Sequence, residues 1–110
     1  MAFDEDLADR VREALVARDV EPVERKMFGG LAFMVAGHMT VGVLGDELMV
    51  RVGKDGHADA LAQPHAREMD FTGNPMVGMV YVAREGIAAD ADLRAWVLRG
   101  LDFTSRLDPK

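Results

Sequence analysis

The sequence predicts an α+β domain of two layers, an antiparallel meander sheet with N- and C-terminal helices packed on one face. Three observations carry that expectation. The hydrophobic period is 3.6 near both ends of the chain and 2 between about residues 24 and 52. The period-2 runs are joined by Ala36-Gly37-His38 and Gly45-Asp46, short connections that suit hairpins. A chain of 110 residues, 49% hydrophobic and 29% charged, suits one compact domain over residues 1–110. Such a chain can bury roughly two-thirds of its unfolded surface, enough for one core without metal or disulfide staples.

Residues 4–18 read as an amphipathic helix. Leu7, Val11, Ala14 and Leu15 share one face, with Glu5, Asp9, Arg12 and Glu13 on the other. Asp4, Glu5 and Asp6 crowd the first turn, where the helix dipole favours negative charge. Asp19-Val20-Glu21-Pro22 ends the helix, because proline disfavours helical geometry in the residue before it.

The period then becomes 2. Leu31, Phe33 and Val35 share a face, as do Met39, Val41 and Val43, and then Leu48, Val50 and Val52. Three strands joined by tight turns make an antiparallel meander. Arg25–Phe28 is a fourth strand candidate, and Gly29-Gly30 is either a hairpin turn or a bulge within one long strand. His57–Ala62 reads as a short helix stopped by Pro64, and Ala66–Phe71 as a short edge strand. Phe71–Pro75 is a turn, and Met76–Val82 is a strand broken by Arg84-Glu85-Gly86. Residues 90–107 form the last helix. Its stripe is Leu93, Trp96, Val97, Gly100, Phe103, Thr104 and Leu107, with Leu98 and Leu101 on a second flank.

Net charge is −6, with residues 1–22 at −4 and residues 45–72 at −3. Nowhere do bases cluster into the footprint that phosphate neutralisation requires, so direct nucleic-acid binding is not expected. The chain has no cysteine, which removes disulfides, thiol nucleophiles and thiolate metal sites. Its N-terminus turns acidic at once, giving no sign of a signal peptide, and no apolar run reaches the roughly 20 residues of a membrane span. A soluble, cytoplasmic protein is the expectation.

Catalytic chemistry finds little footing. Gly29-Gly30 precedes an apolar strand, whereas a phosphate-cradling loop needs a following helix. Gly53-Lys54-Asp55-Gly56-His57 does precede a short helix, but Asp55 puts negative charge where an anion would sit. His38, His57 and His65 stand in or beside separate loops, read as surface positions without metal-ligand spacing. Thr40, Thr72, Thr104 and Ser105 are the only hydroxyl nucleophile candidates, and none lies in a strand–turn–helix elbow. The acids lie mostly on helix faces, not in apolar surroundings that would raise a carboxyl pKa for acid–base work. The expectation is a protein that is not an enzyme, with no catalytic residues, no metal and no cofactor.

Several stretches resemble the N-terminal domain of the TfoX/Sxy family. They are Lys26-Met27-Phe28-Gly29-Gly30, the apolar strand ending at Gly37, Met39–Val43, and Glu47-Leu48 through Arg51-Val52-Gly53. Phe71-Thr72-Gly73 with Pro75-Met76, the strand holding Tyr81 and the terminal helix with Trp96 join them. The resemblance covers about residues 3–107, and Met27, Phe28, Gly29 and Gly30 mark the fold. It implies helices packed on one face of an antiparallel sheet and implies no catalytic residues. The family is named for bacterial regulators of competence genes, which carry a further C-terminal domain. This chain ends where the resemblance ends, so a stand-alone N-terminal domain is expected.

The sheet face turned away from the helices is the expected working surface. Alternation places Ala32, Met34, Thr40, Gly42, Leu44, Met49 and Arg51 there, joined by Met79 and Tyr81. A solvated face alternates to charge, yet this one carries only Arg51. Methionine adapts to irregular partner surfaces, and a contiguous apolar patch marks an interface. The expected interface residues are Met34, Thr40, Leu44, Met49, Arg51, Met79 and Tyr81. The expected function is a non-catalytic interaction or regulatory module acting through protein–protein contacts. Its expected partners are a second copy in a homodimer and, by the resemblance, a protein of transcription regulation, with no membrane contact. The alternatives are a small-molecule-binding domain, with a cleft between the sheet and the 57–75 segment using Arg51 and Tyr81, and that segment folding over the face itself.

Overall fold

A computed structural model describes residues 3–27, 29–69 and 77–108. Helix α1 (Glu5–Val16) opens with Asp4 as its N-cap, whose carboxylate accepts from the Asp6 and Leu7 amides at 2.9 and 3.1 Å. The buried face is the expected Leu7, Val11, Ala14 and Leu15, with Ala8 added. The helix stops before Pro22 can act. Asp19 turns to φ +58, and the Val20 amide bonds back to the Leu15 carbonyl at 3.0 Å.

Four strands follow as a meander: β1 (Val23–Met27), β2 (Gly30–Val35), β3 (His38–Leu44) and β4 (Glu47–Arg51). The open choice at Gly29-Gly30 resolves to a turn, with each glycine in a different role. Gly29 lies in the connection with φ +76, and Gly30 is already the first residue of β2, facing Met27. Any side chain on Gly30 would bring Cβ within 2.2 Å of the Val43 carbonyl oxygen. Phe28 lies outside the described residues.

Helix α2 (Gly53–Leu61) starts four residues earlier than expected, then β5 (Ala66–Glu68) and β6 (Met79–Val82) complete the sheet. The strand order is β1-β2-β3-β4-β6-β5, every pair antiparallel, so the chain passes to the far edge before filling the place beside β4. The strand expected from Met76 begins at Met79, because Val77 and Gly78 form a turn at its start. The turn expected at Phe71–Pro75, and Met76, lie outside the described residues. Residues 84–86 form a 3₁₀ turn, and helix α3 (Asp90–Thr104) closes the fold.

The helices cover one face. Phe33, Val41, Val43, Leu48, Val50, Val80 and Val82 meet Leu15, Leu93, Trp96 and Val97 in the main core. Arg10 ties the helix layer together, donating from Nη2 to the Ile87 carbonyl at 2.7 Å and contacting Asp90 at the start of α3 at 3.1 Å.

Strand β3 departs from simple alternation. The pairing with β2 shifts by one residue between Phe33/Val41 and Met34/Met39, leaving Thr40 as the extra residue of a bulge. Two placements are therefore corrected. Thr40 points to the helices, where its hydroxyl lies 3.0 Å from that of Thr104, and Met39 points to the other face, beside the methionines there. His38 is corrected too, since it is buried and its Nε2 lies 2.6 Å from the Asp108 carbonyl oxygen. A carbonyl only accepts, so Nε2 donates there; Nδ1 is buried and has no hydrogen-bond partner among the described residues.

Candidate functional site

The face away from the helices is built by register. One row crosses all six strands: Arg25, Ala32, Gly42, Met49, Tyr81 and Arg67, each paired with the next. Arginines stand at both ends. Between them, Ala32 and Gly42 leave a trough that the Met49 side chain enters, with its Cε only 2.5 Å from where a Gly42 Cβ would stand. A neighbouring row runs Val23, Met34 and Met39 across β1, β2 and β3.

The two halves of this face differ. Over β4 and β6, Met49, Met79 and Tyr81 are buried in a second small core, and Met69 completes it with no exposed surface. Met69 lies within the 57–75 segment, so part of that segment folds over the sheet. Over β1 to β3 Ala32 is buried, but other apolar side chains stay partly open: Met34, Met39 and Leu44 are half-buried, and Val23 is 64% exposed.

Of the seven expected interface residues, six stand in register on this face. Met34 and Leu44 are partly open; Met49, Met79 and Tyr81 are buried within the chain. Arg51 pairs with Met79, but its guanidinium lies 5.3 Å from the centre of the Phe103 ring on α3. The charge that looked isolated thus has an aromatic neighbour. Thr40 is the seventh, and it belongs to the other face. Sequence reasoning missed Val23, Arg25, Arg67 and Met69, because strand pairing and not periodicity brings them here.

Arg67 fastens the covered half. It forks onto both Glu47 carboxylate oxygens, with the second bond at 2.7 Å, and its guanidinium lies 4.8 Å from the Tyr81 ring centre. That hydrogen bond holds the Glu47 carboxyl below its ordinary pKa and Arg67 above its own. On the other side of the sheet Arg12 does the same to Glu24, with bonds of 2.5 and 2.7 Å.

The remaining loop candidates have structural occupations. The Val52 and Gly53 amides both donate to the Gly78 carbonyl, at 2.8 and 3.1 Å, so the start of α2 faces a turn. His57 Nδ1 accepts from the Gly78 amide at 3.0 Å, which fixes the same junction. His65 is exposed, with φ +67. Among the described residues no three metal-ligating side chains converge. No helix among the described residues is long and apolar enough to cross a membrane.

With this architecture in place, the comparison with known families is decisive. The family model of the TfoX N-terminal domain matches residues 9–104. The chain belongs to the TfoX N-terminal domain family. The match runs from within α1 to the end of α3, so it takes in the whole sheet, α3 and most of α1. It makes the chain a domain of regulatory type, in a family that is not one of known enzymes. Neither a curated protein sequence nor a solved structure matches it.

Proposed function

We propose that this TfoX N-terminal domain is a non-catalytic interaction module. It acts through protein–protein contacts made by the open half of the sheet face away from the helices, and it assembles as a homodimer. The observation that carries this reading is the row Val23, Met34 and Met39, three apolar side chains in register on a face that the described residues cover chiefly over β4 and β6. Val23 at 64% exposure is stable in water but is better accommodated against a partner. Methionines there can adapt to an irregular surface. The buried Met49, Met79 and Tyr81 support the patch from beside it and are not its contact surface.

Light scattering and sedimentation across a concentration series test the assembly. A concentration-dependent dimer is the expected result, and Met34→Glu is expected to weaken contacts made through the open face, where an ionised carboxylate would be desolvated. A wild-type chain that stays monomeric at the highest attainable concentration would remove the homodimer.

A further inference from the structure

We infer that β1 is a self-complementary sheet edge, and that a second copy of this chain pairs with it antiparallel about Arg25. The inference rests on the homodimer reading and names its contact. Strand β1 ends the sheet, and among the described residues nothing pairs with its outer side. The question is which backbone groups that edge offers. A two-residue connection makes Met27 and Gly30 a hydrogen-bonded pair, so Val23, Arg25 and Met27 direct their amides and carbonyls toward β2. Glu24 and Lys26 direct theirs outward. The same alternation follows from the opposite end of the meander. There another two-residue connection joins Leu44 to Glu47, which points Leu44 toward β4 and Val43 toward β2. Pro22, the next outward position, has no N–H to give. The described edge therefore has two full donor–acceptor residues, Glu24 and Lys26.

Two identical strands pairing antiparallel keep their faces matched only in registers centred on a residue. Centring on Glu24 or on Lys26 sets like charges opposite one another. Centring on Arg25 sets Glu24 against Lys26 of the second copy, twice, with four main-chain hydrogen bonds and opposite charges in each pair. Arg12 already holds the Glu24 carboxylate in place on that side of the sheet. The single repulsive element is Arg25 against Arg25 of the second copy, on the helix-free face. It makes the contact a reversible one and guards the edge against less well matched strands. The result is one continuous sheet of two copies, with the open row that begins at Val23 present on each side of the two-fold axis.

Amide hydrogen exchange on the intact chain tests this without a substitution. At a concentration where light scattering gives a dimer, the Glu24 and Lys26 amides are expected to exchange at least about tenfold more slowly than after dilution to monomer. Lys26→Pro removes an outward N–H and leaves the ladder to β2 intact, so it is expected to weaken the dimer about tenfold or more. Lys26→Glu, which keeps the backbone groups and reverses the charge, is the second variant and should weaken it as well. A dimer whose Glu24 and Lys26 amides exchange as in the monomer, unaffected by either variant, would overturn the edge contact and leave the homodimer standing. A chain monomeric throughout would overturn both.

Discussion

The hydroxyl oxygens of Thr40 and Thr104 lie 3.0 Å apart, a buried hydrogen bond between a bulged strand and the helix above it. Each hydroxyl also reaches a carbonyl of its own element, Thr104 that of Gly100 at 3.1 Å and Thr40 that of His38 at 3.3 Å, so either one can donate to the other. The pair therefore joins the last turn of α3 to the one position where β3 breaks step.

Removing one hydroxyl leaves the other without that partner. Thr40→Val is expected to lower stability by about 1 kcal/mol in urea unfolding. Thr104→Val should do the same, and the double variant should lose less than the two together, with a coupling of about 0.5 kcal/mol or more. Strict additivity would show that the two oxygens do not interact.

The adjacent glycines at the start of β2 fail by different routes. Gly30→Ala drives Cβ into a backbone oxygen 2.2 Å away and should cost about 3 kcal/mol. Gly29→Ala meets no atom within 4 Å and suffers only from φ +76, a penalty of about 1 kcal/mol. Denaturant midpoints that rank them the other way would contradict this division.

Met69 holds the second core shut. Met69→Ala should destabilise the fold by about 2–5 kcal/mol, since the side chain is fully buried against Met49, Met79 and Tyr81. A loss below about 1 kcal/mol in chemical unfolding would mean that the covered half of the sheet is not a packed core.

The Glu47–Arg67 pair gives stability a sign with pH. Its carboxyl is held below the ordinary value of 4.5 in the folded state, chiefly by the hydrogen bond from Arg67. Its contribution is thus complete above about pH 4.5 and is withdrawn as pH falls through the lower folded value. Melting temperatures from pH 7 to pH 3 should fall less steeply for Glu47→Gln than for the wild type. At pH 7 the variant should lose no more than about 1 kcal/mol, because Arg67 is half exposed.

What could be read from the sequence was whatever a single element decides for itself. Leu7, Val11, Ala14 and Leu15 declare the buried side of α1 by spacing alone, and Leu93, Trp96, Val97 and Gly100 do so for α3. Leu31 and Phe33, with Leu48 and Val50, gave the helix-facing side of the sheet. Met39 and Thr40 were exchanged because one extra residue in a strand leaves no mark on composition, only on the register with its neighbour. Met69 was invisible as a cover because its role depends on where β5 docks, at the edge beyond β6. His38 looked like a turn residue, and its burial depends on where the chain runs after α3. The interface prediction shared that weakness. It identified the face through alternation but could not see which half the chain keeps for itself.

The bulge also bears on how long this chain can be. Phe33 pairs with Val41 and Met34 with Met39, so the strands would still mate, residue for residue, if position 40 were absent. Every other side chain of β3 would keep its side of the sheet. A deletion almost anywhere else in a strand would turn the following residues inside out. Position 40 is thus a natural splice point, where relatives one residue shorter could share the same sheet and forgo only the threonine pair.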